Sequence, residues 1–340
     1  MLSIIAALII LSIFVVIHEL GHYGAGRLLG FKIIEFAVGM GPRIFKREKN
    51  GIIYSLRAFP IGGMCQFYGE DKSVDDEKGF SDHKVWKRMV VILAGPVLNF
   101  LSAFILAVIL LMAYGVYTDA PMIGSYSGEN TPAAQAGLLP GDVIRAVDGK
   151  SVDHYEQATE LIRSADGSMA VITVQRGGEL IDVTVYDIFD EEVGYNRIGV
   201  YLDYARVKYT LFEAIGGSVK FVWDIMRQML SFLVGIFSKG VQPGEVAGPI
   251  GVVSIIGEAV RSGLEPVLIL AVLISVNLGI FNLLPIPAMD GGRFVFLAIE
   301  GMRRKPIDPN KEGIVHLIGF VLLIGLVILL SIMDIGNLIK

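Results

Sequence analysis

Seventeen uncharged, mostly apolar residues, Met1 to Ile17, run directly into His18-Glu19-Leu20-Gly21-His22. Side chains at i and i+4 lie about 40° apart around an α-helix, so the two imidazoles can grip one metal ion. Glu19, about 100° from His18, can reach a water on that metal and act as general base. Soluble zinc proteases carry the same pattern, but without an apolar run of span length leading into it. Ionisable groups within a membrane span are costly and usually functional. Three within five residues, in a chain with only five histidines, point to a metal site below one face of a bilayer.

The composition agrees with that placement. With 53% hydrophobic and 19% charged residues, the chain reads as a membrane protein with a sizeable water-exposed portion. Apolar stretches at 89–114, 266–289 and 313–333 join the first run, which continues to about Leu29, to give four expected spans. No basic residue precedes the first run and no small-residue cleavage site ends it, which argues against a signal peptide. A net charge of -5 leaves no nucleic-acid footprint, and the single cysteine, Cys65, excludes an internal disulfide or a Cys-rich metal cluster. Residues 27–88 hold twelve Lys/Arg against eight Asp/Glu, and the short 301–312 connection holds Arg303, Arg304, Lys305 and Lys311. By the positive-inside rule both face the cytoplasm, so both termini and the 115–265 segment face outward. His18 then lies about 25 Å from the outer surface, near the cytoplasmic third of the membrane.

The expected organisation is a first transmembrane helix over 1–30 and a cytoplasmic-side, membrane-associated β region over 31–87. A second transmembrane helix follows over 88–116, and a small β-rich water-exposed domain over 120–205. An amphipathic surface helix with a linker takes 206–265, a third, broken transmembrane segment 266–301, and a fourth transmembrane helix 313–338. The β region centres on Asn50-Gly51, a strong hairpin signal because both turn positions need φ > 0. It is either a plain surface hairpin or an exposed edge that accepts an extended substrate as an added strand. The acidic run Asp75-Asp76-Glu77 reads as a solvated loop. Asn99, in Ala94-Gly95-Pro96-Val97-Leu98-Asn99, reads first as helix packing, with a site role as the alternative. Val222, Ile225, Met226, Met229, Phe232, Leu233 and Ile236 recur at helical spacing with charges between them, as in a helix lying on the outer surface. Gly248-Pro249-Ile250-Gly251 reads as a turn before the third span. Residues 132–149, with Gly137-Leu138-Leu139-Pro140-Gly141-Asp142 and then Asp148-Gly149, resemble protease-associated PDZ domains in their turn spacing.

Two histidines leave a zinc ion short of one protein ligand and a water. The best remaining candidate is Asp290, in Asn282-Leu283-Leu284-Pro285-Ile286-Pro287-Ala288-Met289-Asp290-Gly291-Gly292. Two prolines bar a continuous helix there. Broken backbone at membrane depth is tolerated only where protein or a water-lined cavity covers it, so the break can bring Asp290 against the first span, with Gly291 and Gly292 removing bulk beside it. The basic cluster 303–305 sets this end at the depth of His18 and His22. A capping role for Asp290 leaves the prolines unexplained. Asn282 holds substrate, polarises its carbonyl or merely packs. Asn277 reads as structural, and His83, His154 and His316 as ordinary.

These motifs together resemble the site-2 protease family of intramembrane metalloproteases, most nearly the bacterial branch that cuts anti-sigma factors. The likeness extends to Phe36-Ala37-Val38-Gly39-Met40-Gly41-Pro42, Pro60-Ile61-Gly62-Gly63 and Ala94-Gly95-Pro96, hence to nearly the whole chain; Met289 stands where the family often has Leu. The resemblance implies a mainly α-helical membrane protein of the bacterial cytoplasmic membrane, with four transmembrane helices, a membrane-associated β-hairpin region and one extracytoplasmic PDZ domain. It implies a zinc ion held by His18, His22 and Asp290, with Glu19 as catalytic base. Asn282, Pro285, Pro287, Gly62 and Gly63 are the expected substrate-binding positions. The implied partners are the lipid bilayer, a single-pass transmembrane substrate already cut once outside the membrane (an anti-sigma factor or a signal-peptide remnant) and an extracytoplasmic peptide at the PDZ domain. A transporter with a broken helix would show inverted repeats, which are not seen. An inert PDZ scaffold would bind no zinc, and a zinc protease of prenylated proteins would need neither the Pro-x-Pro-x-x-Asp segment nor a PDZ domain.

Overall fold

The computed structural model describes residues 2–70, 79–165, 168–186, 188–190, 194–240 and 247–339; Asp75-Asp76-Glu77 lies outside them. The chain divides into two units, residues 111–210 and the remainder.

In the larger unit, helix α1 (Leu2–Leu29) leads into two long strands, β1 (Ile33–Lys49) and β2 (Ile52–Phe67), and then helix α2 (Val85–Ala113). The turn between the strands has Asn50 at φ 54° and Gly51 at φ 75°, as a two-residue hairpin of type I′ requires. The strands form more than the single hairpin that this turn predicts. Residues 43–49 pair with 52–57 in opposite sense, but 35–38 also pair with 53–56 in the same sense and with 63–66 in opposite sense. The ribbon therefore folds back on itself, with 52–57 and 33–38 inside and 43–49 and 63–67 at its edges. Glu35, 1% exposed, ties the layers together. Its carboxylate accepts from Ser55 Oγ at 2.6 Å and Arg57 Nη2 at 3.0 Å, and from both Arg43 Nε and Nη2. The Arg43 hydrogen bonds outweigh burial and, with Ser55 and Arg57, hold this carboxyl well down, at about 2.

The smaller unit contains strand β3 (Val116–Tyr126), helix α3 (Pro132–Ala136), strands β4 (Val143–Val147) and β5 (Lys150–Ser151), and helix α4 (Tyr155–Arg163). Strands β6 (Met169–Arg176), β7 (Glu179–Tyr186), β8 (Phe189–Asp190), β9 (Tyr195–Asn196) and β10 (Val200–Val207) complete it. The main sheet runs β10-β3-β4-β6-β7, with β5 paired to β4. Its core includes Ile123, Leu138, Ile144, Val147, Ile172, Val174, Val185 and Ile188. Asp142 anchors the Gly-Leu-Leu-Pro-Gly-Asp turn by accepting from the Leu139 amide at 2.8 Å and from Arg176 Nε at 2.7 Å and Nη2 at 2.6 Å. Burial disfavours its charge, yet these donors prevail and its carboxyl sits below the ordinary range.

The larger unit resumes with α5 (Leu211–Lys239), α6 (Pro249–Ser262), α7 (Leu264–Leu283), α8 (Asp290–Arg303) and α9 (Pro309–Ile339). Among the described residues, Ser3–Leu29, Val85–Ala113, Leu264–Leu283 and Lys311–Gly336 are long and apolar enough to cross a membrane. The 206–265 region differs from the surface helix and linker read from sequence. One face of α5, with Val222 and Ile225 buried, packs into a cluster with Ala103 and Ala107 of α2 and Val272, Val276 and Ile280 of α7. The expected turn at Gly248-Pro249-Ile250-Gly251 is the start of α6. A glycine N-cap offers no side chain, so Asp334 of α9 supplies the acceptor: the Gly248 and Gly251 amides donate to it at 3.0 and 2.8 Å.

A Cβ on Gly21 would stand 2.2 Å from the Ala94 carbonyl oxygen, so α1 and α2 cross backbone to backbone. Gly21→Ala should destabilise the larger unit by about 1–3 kcal/mol, read as a lower unfolding midpoint in detergent. For Glu35, whose folded pKa lies below its ordinary 4.5, the stabilisation is complete above pH 4.5 and fades as pH falls toward about 2. Amide exchange in the ribbon should follow that window in the wild type and lose it in Glu35→Gln.

Candidate metal centre

The break between α7 and α8 delivers the third donor. Pro285 and Pro287 cannot donate to a helical ladder, and the chain turns through Ile286 N–H to the Leu284 carbonyl at 2.7 Å and Met289 N–H to the Ile286 carbonyl at 3.1 Å. Helix α8 then restarts at Asp290, whose side chain points at α1 rather than capping its own helix. Asp290 Oδ2 lies 3.0 Å from His18 Nε2 and 3.3 Å from His22 Nε2, and the two Nε2 atoms are 3.1 Å apart. Side-chain exposures are 10%, 11% and 18% for His18, His22 and Asp290.

This triangle fits a zinc ion. Bonds of about 2.0–2.1 Å in a tetrahedron set neighbouring donors roughly 3.3 Å apart, and the observed edges of 3.0, 3.1 and 3.3 Å match one face of it. Asp290 Oδ2 is buried and accepts no hydrogen bond among the described residues, as an oxygen reserved for a cation would. Two imidazoles and a carboxylate are also a donor set that zinc takes readily. A Cβ on Gly95 of α2 would fall 2.5 Å from His22 Nε2 and 2.8 Å from His18 Cε1, so only glycine leaves the donors this room.

A cavity of about 440 Å³ opens beside the triangle, lined among others by Glu19, Gly62, Gly63, Met64, Gln66 and Asn282. The Glu19 carboxylate lies beside the Cys65 backbone amide of the edge strand. Gly63 permits the approach, since a Cβ there would stand 2.8 Å from Glu19 Cγ. The expected site residues thus separate. His18, His22, Asp290, Glu19, Asn282, Gly62 and Gly63 share one cavity, whereas Pro285 and Pro287 do not line it. Pro287 instead packs on α9, where a Cβ on Gly319 would meet it at 2.5 Å.

Several contributors were read from sequence with another first role, as Asn99 was with packing before a site role, or not read at all. Asn99 lies fully buried with Nδ2 3.2 Å from His18 Nδ1, and His22 Nδ1 meets the Val91 carbonyl at 2.9 Å. His316, read as ordinary, accepts from the Ala288 amide at 2.7 Å and so holds the loop that carries Asp290. Glu70 pairs with Arg293, and Glu300 with the buried Arg88, fixing α8 to the ribbon and to α2. The sequence signal for Asn99 was a polar residue one turn beyond a Gly-Pro pair within a span; the other partners carried no spacing to betray them.

A model of peptidase family M50 matches residues 6–326. The zinc metalloprotease RasP of Shouchella clausii is 29% identical, with 99% of each chain covered. The regulator of sigma-W protease RasP of Bacillus subtilis is 26% identical, again with 99% of each covered. Among solved structures, the PDZ domain of an SdrC-like protein of Listeria monocytogenes covers 26% of this chain and 90% of its own, at 25% identity and a TM-score of 0.22. With the family model spanning almost its full length, the chain belongs to peptidase family M50, the site-2 proteases, and is a zinc metalloprotease.

Proposed function

We propose that this protein hydrolyses a peptide bond within or near the transmembrane segment of single-pass membrane proteins that a first protease has already shortened outside the membrane. The observation that carries the reading is the triangle of His18, His22 and Asp290 with Glu19 in the same cavity, built on helices able to cross a bilayer. An anti-sigma factor is the favoured substrate over a signal-peptide remnant, supported by the sigma-W regulation in the name of the Bacillus subtilis relative.

His18, His22 and Asp290 would hold zinc, which when bound polarises the scissile carbonyl and acidifies a water. Glu19 takes the proton of the attacking water and passes it to the leaving amine. Glu19 lines the cavity beside the Cys65 amide. Asn282 offers its amide to the substrate backbone. A transmembrane helix hides its carbonyls in its own hydrogen bonds, so the substrate must unwind locally before attack. Residues 62–67 line the cavity, and among the described residues 63–67 pair as a strand on one side only. Their free side takes the unwound segment as an added strand. Pro285 and Pro287 act indirectly, by breaking the helix so that Asp290 reaches α1.

The termini and the smaller unit lie outside the cell in this scheme, with the active site near the cytoplasmic face of the bacterial inner membrane. Residues 120–205 act there as a PDZ domain that excludes substrates with bulky external domains. The groove between α4 and the free edge of β10, lined by Tyr155, Thr159, Arg163, Arg197 and Gly199, takes an extended peptide.

Co-expression with single-span anti-sigma factors truncated outside the membrane tests the reading, scored as release of the cytoplasmic fragment. Glu19→Gln should cut release by about 10²–10⁴-fold while zinc content stays at the wild-type level. Asn282→Leu should likewise keep zinc and lower cleavage by about 10²-fold, as loss of a carbonyl-polarising donor does. Deleting 120–205 should permit cleavage of the untrimmed substrate; unchanged selectivity would refute the screening role.

A further inference from the structure

Helix α2 meets both histidines at three positions spaced one turn apart: Val91, Gly95 and Asn99. At the first, a carbonyl faces His22 Nδ1. A carbonyl only accepts, so Nδ1 keeps the ring proton and Nε2 turns its lone pair toward Asp290. At the second, glycine gives the two rings space. At the third, a carboxamide faces His18 Nδ1, and a carboxamide can either donate or accept.

As placed, Asn99 Nδ2 donates to Nδ1, leaving the His18 ring proton on Nε2, on the side of Asp290. Ligation through Nε2 needs the opposite tautomer, with the proton on Nδ1 and an acceptor facing it. Asn99 Oδ1 is buried and has no hydrogen-bond partner among the described residues. A half-turn of the amide exchanges Oδ1 and Nδ2, because the group occupies the same space either way. The oxygen then gains its donor and Nδ2 takes the place without a partner, so the number of satisfied atoms is unchanged and the tautomer that ligation needs decides the orientation. Helix packing alone does not account for the choice of residue, since a buried amide without partners is costly where an isosteric leucine is free of that cost.

We propose that Asn99 is a positioning residue of the metal centre: its carboxamide oxygen accepts the His18 Nδ1 proton and fixes His18 as an Nε2 ligand, as the Val91 carbonyl fixes His22. The Ala94-Gly95-Pro96-Val97-Leu98-Asn99 stretch is then an outer shell of the site. Pro96 lies within the helix and withholds the amide that would bind the Ile92 carbonyl. The proposal rests on His18, His22 and Asp290 being the metal ligands.

The test uses the full chain in detergent as wild type, Asn99→Leu, Asn99→Asp and Asp290→Ala. Zinc affinity is read by competition with a chromophoric chelator, and folding by the unfolding midpoint of the stripped proteins. Leucine keeps the volume and removes the acceptor, so Asn99→Leu should bind zinc about 10–100-fold more weakly while the stripped protein melts like wild type. Aspartate keeps the acceptor, so Asn99→Asp should stay within a few-fold of wild type. Should Asp290→Ala bind zinc as wild type does, the ligand assignment itself fails. If Asp290→Ala loses zinc but Asn99→Leu does not, or if Asn99→Asp weakens as much as Asn99→Leu, the role of Asn99 is overturned. If stripped Asn99→Leu proves unfolded, Asn99→Asp decides alone, its retention of zinc supporting the proposal and its loss overturning it.

Discussion

Helices in a bilayer associate without a hydrophobic driving force, so close approach depends on small residues that let backbones touch. In this protein that contact is made where Gly21 meets the Ala94 carbonyl and Gly95 meets the two imidazoles. A side chain at either position would push α1 from α2 by more than a hydrogen bond can stretch. His18 would then part from Asn99, and His22 from the Val91 carbonyl. The orientation of both donors is thus a consequence of one helix crossing, and the chemistry inherits its geometry from the absence of two methyl groups.

Asp290 reaches the same place by a different route, because it comes from the far end of the sequence and from an interrupted helix. Broken backbone at membrane depth leaves unsatisfied polar groups unless protein covers them. The loop answers this with its own short turns and with His316 of α9, which accepts the Ala288 amide. Ala288 itself sits at φ 75°, a conformation that a non-glycine residue adopts only when its surroundings enforce it. The restarted helix is tied to the ribbon through Arg293–Glu70 and to α2 through Glu300–Arg88. Three elements remote from one another in the chain therefore agree on where one carboxylate stands.

The parts of this arrangement legible in the sequence were those with a period or a breaker. Helical spacing gave the His18–His22 pair, two prolines marked the interruption before Asp290, and Asn50-Gly51 marked a turn. What stayed hidden depended on long-range contacts that leave no periodic trace. Asp334 looks like an isolated charge near a helix end until α6 is seen to need an acceptor at its first turn. His316 has a helically spaced neighbour in Glu312, 3.6 Å away, but the contact that matters to the site is with a backbone amide twenty-eight residues away, which no spacing reveals. The ribbon exceeded its hairpin signal because 35–38 pairs on both sides, one of them parallel to 53–56, and parallel register is not encoded by a turn. Pro285 and Pro287 break the helix as their chemistry requires, but neither lines the cavity, and Pro287 packs on α9, which composition does not reveal.

The two sides of the cavity are built on opposite principles. On one side each side chain of the triangle is held twice: His18 by its helix and Asn99, His22 by its helix and Val91, Asp290 by its loop and the anchors of α8. On the other side, residues 63–67 form an edge that pairs, among the described residues, only with the strand carrying Glu35, which is itself tied to Ser55 and Arg57. An edge strand ordinarily invites unwanted pairing and is blunted by charge, proline or a covering element. This one lines the cavity beside Glu19 and, among the described residues, pairs as a strand on one side only, with its Phe67 amide donating to Glu70 Oε2. A fixed triangle opposite an edge strand makes a site suited to an extended chain. It requires that any helical substrate surrender its own hydrogen bonds before it can fit.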